Sequence, residues 1–517
     1  MSNTTISLNP KCRIVVFNWL RPELDGEEAT STIAESEGID VSSYLKEVSF
    51  NKTLRSPSGT FSFSLANDRD WKQFIRPGAW CLIYMCNDGA IDIPRIKHSD
   101  SQEKNFLSIQ QSDLRDLADI RPYLRCIGYI ETVRAKGFIG EERGEFDVDY
   151  TVSGRDFGSI YETTEIYHNR VQFDQTLLLS AGAFIKNPPE GKTVDGLLKL
   201  LHDLIFAPSK IIKKDDLKSL NSVATQWLLP SPMLKALEIN ITDEPYYGNI
   251  PDLFKFTPSK CSFPVENPLA LLNGIAWERL KAHSIEPFHE LFPELDKTGY
   301  PKLHFRPIPW RITEGAEYPN ISQTIPKFAD PNFFNIIELS AEDVIGFDLG
   351  EDDHARYNLF WAIIKSYQIT VENSQAPTLN QSSIKRHGLR SMITEINALI
   401  TLGSEKADPQ LIVDYNNLLQ EYYKYSHLFE SGSIDIIGNN SIRVGEIIHF
   451  DSSTAYNEDK YFYIEGYQDT FTLDDKGASS WVQSLTVTRG VSGDYLTQNK
   501  FDSFERTTDY KFNGDIT

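Results

Sequence analysis

From Tyr461 to Gly490 the chain reads YFYIEGYQDTFTLDDKGASSWVQSLTVTRG, and its apolar and polar positions alternate along both limbs. Phe462 and Ile464 interleave with Tyr463 and Glu465, and Leu485 and Val487 interleave with Ser484, Thr486 and Thr488. A period of two is the mark of half-buried strands. Between the limbs, LDDKGASS supplies the Asp and Gly that a chain reversal needs. The stretch predicts one long β-hairpin.

A second hairpin of the same kind lies in CIGYIETVRAKGFIGEERGEFDVDYTVSGRD, where Tyr129, Ile130 and Glu131 match Tyr463, Ile464 and Glu465. Thr151 and Val152 match Thr486 and Val487, with Tyr129 22 residues before Thr151 and Tyr463 23 before Thr486. Upstream of each comes a further shared piece. Ile75, Arg76, Pro77 and Gly78 lead into AWCLIY, and Ile442, Arg443, Val444 and Gly445 lead into EIIHF. Any two hairpins share Val, Ile, Thr and Tyr, because pleated surfaces favour them. Alternation does not by itself repeat three pieces in one order with Gly at the same corner, so the pattern predicts an internal duplication. A turn, a strand and a long hairpin in each copy suit a small antiparallel barrel or sandwich.

In chain order, residues 1–160 form the first β-barrel domain. KCRIVVFNW is a buried-type strand, TFSFSLAND turns Phe61, Phe63 and Leu65 inward, and Arg76-Pro77-Gly78 leads into a strand over residues 80–85. A polar insertion at about 88–121 has no counterpart in the second copy. Residues 161–334 change to an α+β middle domain. Thr193 caps a helix bearing Leu197, Leu198, Leu201 and Leu204, and Pro268 opens another bearing Leu269, Leu272, Ile275, Ala276 and Leu280. The strand LHFRPIPWR follows.

The second β-barrel domain occupies residues 335–370 and 432–495, with IIELSAEDVIGFDLG and ARYNLFWAII in its first part. Residues 371–431 interrupt it as a helical hairpin. Leu389, Met392, Ile393, Ile396, Leu399 and Ile400 make the stripe of its first helix. Leu411, Ile412, Tyr415, Leu418, Leu419, Tyr422 and Tyr423 make that of its second. Residues 496–517 are a polar C-terminal tail. The fold class expected is therefore α+β and multidomain: two duplicated antiparallel β-barrels, an inserted α+β domain and a helical hairpin insertion.

A chain of 517 residues is long enough for several cores. Acidic residues number 73 against 51 basic, a formal net charge of -22, which disfavours attraction to phosphate backbones or anionic lipid. Cys12, Cys81, Cys86, Cys126 and Cys261 are scattered without a C-x-x-C pair and read as reduced thiols, implying synthesis in a reducing cytoplasm. The only N-terminal apolar run, residues 14–17, is too short for a signal peptide or a membrane span.

Candidate chemistry is sparse. His283, Glu286, His289 and Glu290 cluster in AHSIEPFHELF, but Pro287 interrupts a helix that would align them, and Pro293 stands where H-E-x-x-H needs its second His. Gly191-Lys192-Thr193 resembles the end of a phosphate loop, yet Lys186 occupies the position of the required Gly. Asp92 and Asp100 are solvated charges. No residue is singled out as a catalytic, cofactor-binding or metal site, and no cofactor is expected.

Taken in order, a set of pieces resembles the baseplate hub proteins of contractile-tailed bacteriophages, a family related in architecture to the N-terminal part of type VI secretion spike proteins. The pieces are Gly128-Tyr129-Ile130 with residues 150–156 (YTVSGRD), Glu290-Leu291-Phe292 with residues 305–310 (FRPIPW), Arg386-His387-Gly388, Tyr463-Ile464-Glu465-Gly466 and Val487-Thr488-Arg489-Gly490. The resemblance implies a homotrimeric hub in the virion tail, assembled in the host cytoplasm. Each chain would contribute two tail-tube-like barrels, adapting a sixfold tube to a threefold central spike. Implied partners are the central spike protein, the tail tube protein and neighbouring baseplate or tape-measure proteins, with no sequence-specific nucleic acid and no membrane insertion. The enclosed channel is expected to be acidic or neutral, since like charge keeps DNA from adhering. Two other classes fit a tail protein: a cell-wall hydrolase built on His283, His289 and Glu290, and a receptor- or carbohydrate-binding protein built on aromatics of the 88–121 insertion, where Phe106 stands without Trp or Tyr.

Overall fold

Residues 9–18, 38–67, 69–87, 91, 116–139, 146–166, 274–282, 289–308, 335–364, 377–396, 416–417, 419–420, 422–450, 459–474 and 477–492 are described by a computed structural model of the protein. The predicted helix capped by Thr193, Gly191-Lys192-Thr193, His283, Glu286, Asp92, Asp100, Phe106, Cys261 and the polar tail lie outside them.

The described protein is mostly β. Thirteen strands form one curled sheet, whose first run is β1 (Lys11–Phe17), β2 (Gly38–Asp40), β3 (Leu45–Thr53), β4 (Thr60–Leu65), β5 (Trp80–Cys86), β6 (Leu124–Ile139) and β7 (Phe146–Asp156). Its second run is β12 (Ile336–Leu339), β13 (Val344–Glu351), β17 (Glu430–Ile437), β18 (Ile447–Phe450), β19 (Lys460–Leu473) and β20 (Ser479–Ser492). β1 and β5 are near-continuous apolar runs buried on both faces, whereas β4 buries Phe61, Phe63 and Leu65 and turns Ser62 and Ser64 outward. The sheet curls until the inward faces of both runs share one core, with Phe50, Phe61 and Val152 from the first and Phe462, Ile464 and Leu485 from the second.

The two runs have the same neighbour order. Across the first it is β1-β5-β6-β7-β4-β3, and across the second β12-β18-β19-β20-β17-β13. The corner before each hairpin is the same in detail. Gly78 and Gly445 both have positive φ, 89° and 79°, a region that disfavours residues with a Cβ. Gly78 N donates to Ile130 O at 2.7 Å and Ile130 N to Ala79 O at 2.8 Å; Gly445 N donates to Ile464 O at 2.8 Å and Ile464 N to Glu446 O at 3.0 Å. A bulge follows each, between Ile130 and Thr132 and between Ile464 and Gly466.

The ladders correct one detail of the alignment. Thr132 faces Ser153 and Gly466 faces Thr486, so Thr486 corresponds to Ser153 and not to Thr151. A two-residue shift keeps every side chain on its face, which is why alternation left it unresolved. The outermost strands differ: β1 runs antiparallel to β5, while β12 runs parallel to β18.

Other parts depart from expectation. β14 (Leu359–Ile364), expected in the second barrel, pairs instead with β15 (Thr378–Leu379) and, in parallel, with β16 (Ser391–Ile396). The first helix of the expected helical hairpin is corrected accordingly. Residues 381–387 are helical, but Met392, Ile393 and Ile396 belong to strand β16, because the edge of β14 supplies backbone partners that a helix would forgo. Asn416, Asn417, Leu419, Gln420, Tyr422 and Tyr423 are helical, as the second stripe predicts. The helix expected from Pro268 is described from residue 274: Gly274–Ile275 is a short strand, β9, and the helix covers Ala276–Ala282. β9 pairs with β8 (Glu165–Ile166), next to the short helix Ser159–Thr163. β10 (His289–Leu295) and β11 (Pro301–Pro307) form a separate hairpin.

Candidate assembly interface

The two runs meet where β3 adds to the upper half of β19, with pairs running from Thr53–Gly466 through Ser49–Thr470 and Val48–Phe471 to Glu47–Thr472. Inward parity along these strands places Val48, Phe50 and Lys52 on β3, and Tyr467, Asp469 and Phe471 on β19, toward the core. Two of those inward positions are charged, and their partners come from elsewhere in the sheet.

Asp469, fully buried, takes a guanidinium from the first run. Arg125 Nε donates to its Oδ2 at 2.9 Å, while Trp481 Nε1 and Gln483 Nε2 donate to its Oδ1 at 3.0 and 2.6 Å. Arg125 Nη1 also donates to Ile442 O at 2.6 Å, and its guanidinium lies 4.6 Å from the centre of the Tyr467 ring. Burial opposes its charge, yet Asp469, Tyr467 and Glu294 together outweigh that and hold the Arg125 pKa above its ordinary value. Arg443 Nη2 reciprocates from the second run, donating to Leu124 O at 2.8 Å. Lys52 pairs with Asp156, whose pKa burial raises despite the ammonium beside it. Breaking either buried pair from one side leaves an uncompensated charge, so each pair ties β3 and β19 to strands remote in sequence.

Hairpin β10–β11 closes over this joint. Phe292 enters the shared core, Arg121 lies 3.9 Å from the centre of the Tyr300 ring, and Arg121 Nε donates to Thr298 O at 3.0 Å. Glu294 is 2% exposed; its Oε1 accepts from Leu295 N at 2.8 Å and its Oε2 from Val444 N at 3.4 Å. Burial raises its pKa to about 7, with Lys52 and Arg125 opposing the rise. It is an odd carboxyl beside two already matched ion pairs.

Of the sequence-derived candidates, Glu290 accepts a hydrogen bond from the hydroxyl of Tyr463, and the backbone of His289 pairs with Pro307 at the end of the hairpin. Among the described residues, no three or more of His, Cys, Asp and Glu are placed to hold a metal ion, and no helix is long and apolar enough to cross a membrane. Cys12, Cys81, Cys86 and Cys126 are free and buried. Sequence reading missed Lys52, Arg125, Asp469 and Glu294. For Lys52 and Asp469 a signal existed, a charge at inward parity in an alternating strand.

No protein-family model matches the chain, and a search of curated proteins finds no match. Among solved structures the chain is similar to the tail protein from Neisseria meningitidis MC58, at 11% identity, 95% of this chain, 99% of that chain and a TM-score of 0.39. It is similar to the 43 kDa tail protein of prophage MuSo2 from Shewanella oneidensis, at 12% identity, 92% and 98% coverage and a TM-score of 0.38. A Francisella PdpA–VgrG complex aligns at 9% identity over 94% of this chain and 53% of that one, a TM-score of 0.38.

Proposed function

We propose that the chain is the structural hub of a phage-like contractile-tail baseplate, with no enzymatic role. The observation that carries this is the doubled strand order, two runs with the same corner hydrogen bonds joined edge to edge through β3 and β19. One chain then supplies two similar units, and three chains supply six around a channel, matching a sixfold tube above and a threefold spike below. The duplicated barrels would be residues 1–160 and the parts of 335–370 and 432–495 that lie outside β14; described parts of residues 161–334 cap the joint, and β14 forms a small sheet with β15 and β16 from residues 371–431. The family pieces, from Gly128-Tyr129-Ile130 to Val487-Thr488-Arg489-Gly490, run through both units. With a net charge of -22, an acidic or neutral channel wall lets DNA pass without adhering. A hydrolase reading loses support from Glu290, which is engaged by Tyr463. Native mass measurement is expected to give three times 58.9 kDa. Monomer alone at micromolar concentration, even with spike protein added, overturns the hub, and turnover of peptidoglycan abolished by His289→Ala overturns the non-enzymatic role.

A further inference from the structure

The joint inside the chain has a second, incomplete version at its two ends. β13 holds in the second run the place of β3 in the first: Val344 faces Ile436 as Leu45 faces Leu65, and each strand has a bulge at its next residue, Ile345 and Lys46. β3 continues onto the upper half of β19, whereas no described strand continues beyond β13. The upper half of β6 corresponds to that of β19, and β5 covers β6 only as far as Tyr129, so among the described residues 132–139 meet no strand on that edge. One chain thus presents a donor edge and an acceptor edge whose mates are already seen joined within it.

From this we propose that β13 of one chain pairs antiparallel with residues 132–138 of β6 in a second copy, in the register of the β3–β19 joint. Carrying that register across sets Asp352 opposite Thr132, Gly350 opposite Arg134, Asp348 opposite Lys136 and Phe347 opposite Gly137. The side chains along the two edges fit the transfer. Arg134 and Lys136 are exposed, and they meet Asp348 and Asp352, also exposed, as unlike charges on one face. A Cβ at Gly346 or Gly350 would meet nothing within 4 Å, leaving room for the arriving side chains. On the other face, Val48 sits opposite Phe471 within the chain, and Phe347 sits opposite Gly137 between chains, so large and small exchange sides. Phe347 is 40% exposed where Val48 is 0% exposed, and no described strand continues beyond β13. Long exposed edges of this kind invite strand addition, and a closed ring of copies removes them.

The inference rests on the hub reading and is tested separately from it. Reversing one charge, Lys136→Glu or Asp348→Lys, sets like charges opposite each other and is expected to raise the half-assembly concentration roughly tenfold, with the double reversal recovering it. Opposed Cβ atoms lie within disulfide reach, so Lys136→Cys with Asp348→Cys is expected to give covalent inter-chain species on mild oxidation. The four described native cysteines are buried. Arg134→Cys with Gly346→Cys, four residues out of register, is expected to give none. Assembly that ignores both single reversals, or cross-linking by the out-of-register pair alone, overturns the register and leaves the hub standing. A wild-type chain that stays monomeric overturns both.

Discussion

β3 and β13 hold the same place in two rows of like strand order. Both lie at the end of an equivalent row and both carry a bulge at the second residue, but β3 is followed by β19, whereas no described strand follows β13. β3 buries Val48, Phe50 and Lys52, while β13 leaves Phe347, at the place of Val48, 40% exposed. The outer layers differ too. β1 runs beside β5 for seven pairs of almost wholly buried residues, while β12 meets β18 in four parallel pairs.

A charge placed at the two equivalent positions sharpens the contrast most. Val48→Asp puts a carboxylate into the shared core and is expected to cost more than about 4 kcal/mol, read as loss of cooperative unfolding in urea. Phe347→Asp is expected to lower the stability of the isolated chain by about 1 kcal/mol or less while weakening self-association. Equal destabilisation by both would break the equivalence of the strands.

Next in size is the ion pair that ties the runs together. Arg125→Ala leaves Asp469 buried with only Trp481 and Gln483 as donors and is expected to cost about 3–5 kcal/mol in denaturant midpoint analysis. Arg155, a partly exposed residue paired with Glu131 and Glu162, is the control: Arg155→Ala is expected to cost about 1 kcal/mol or less.

Glu294 tests how the hairpin cap serves the joint. Its folded pKa of about 7 lies above the ordinary 4.5, so the folded state holds the extra proton between those values and loses stability as pH rises through them. Glu294→Gln keeps an acceptor for Leu295 N and removes the charge. It is expected to stabilise the protein by up to about 3 kcal/mol above pH 7 and to leave it unchanged below pH 4, measured as melting temperature against pH. A variant equally stabilised at both ends of the range would show that charge is not the cause.

What was legible in the sequence was what depends on the strand's own neighbours. The hairpin β19–β20 reads directly from its alternation, since the pleat alone makes period two. Its alignment with β6–β7 came out two residues off for the same reason, because a shift of two changes no face. Residues 391–396 misled differently. Met392, Ile393 and Ile396 fit a helical stripe, but Ile393, Thr394 and Ile396 are β-branched and the parallel edge of β14 decided the outcome. The buried pairs were beyond local reading: Arg125 and Asp469 lie 344 residues apart.

The smallest effect expected concerns the weaker outer layer. His449 on β18 is held between Glu338 of β12 and Asp459, and its ring stacks on Tyr461 with centroids 4.1 Å apart. Burial disfavours its charge, but the two carboxylates outweigh burial and raise its pKa above the ordinary 6.5. A raised histidine contributes stability that is fully present below 6.5 and is lost as pH rises through the folded value. Glu338 is largely exposed, so solvent screening holds the contribution to about 0.5 kcal/mol. Between pH 6 and 9 the hydrogen-exchange protection of β12 is therefore expected to fall slightly, while that of β1, which has no such pair against β5, stays level. His449→Gln is expected to flatten the β12 profile. A β12 profile equally steep in the variant would assign the pH dependence to another group, and would leave the four parallel backbone pairs and the buried side chains of Ile337 and Leu339 as the hold of β12 on the sheet.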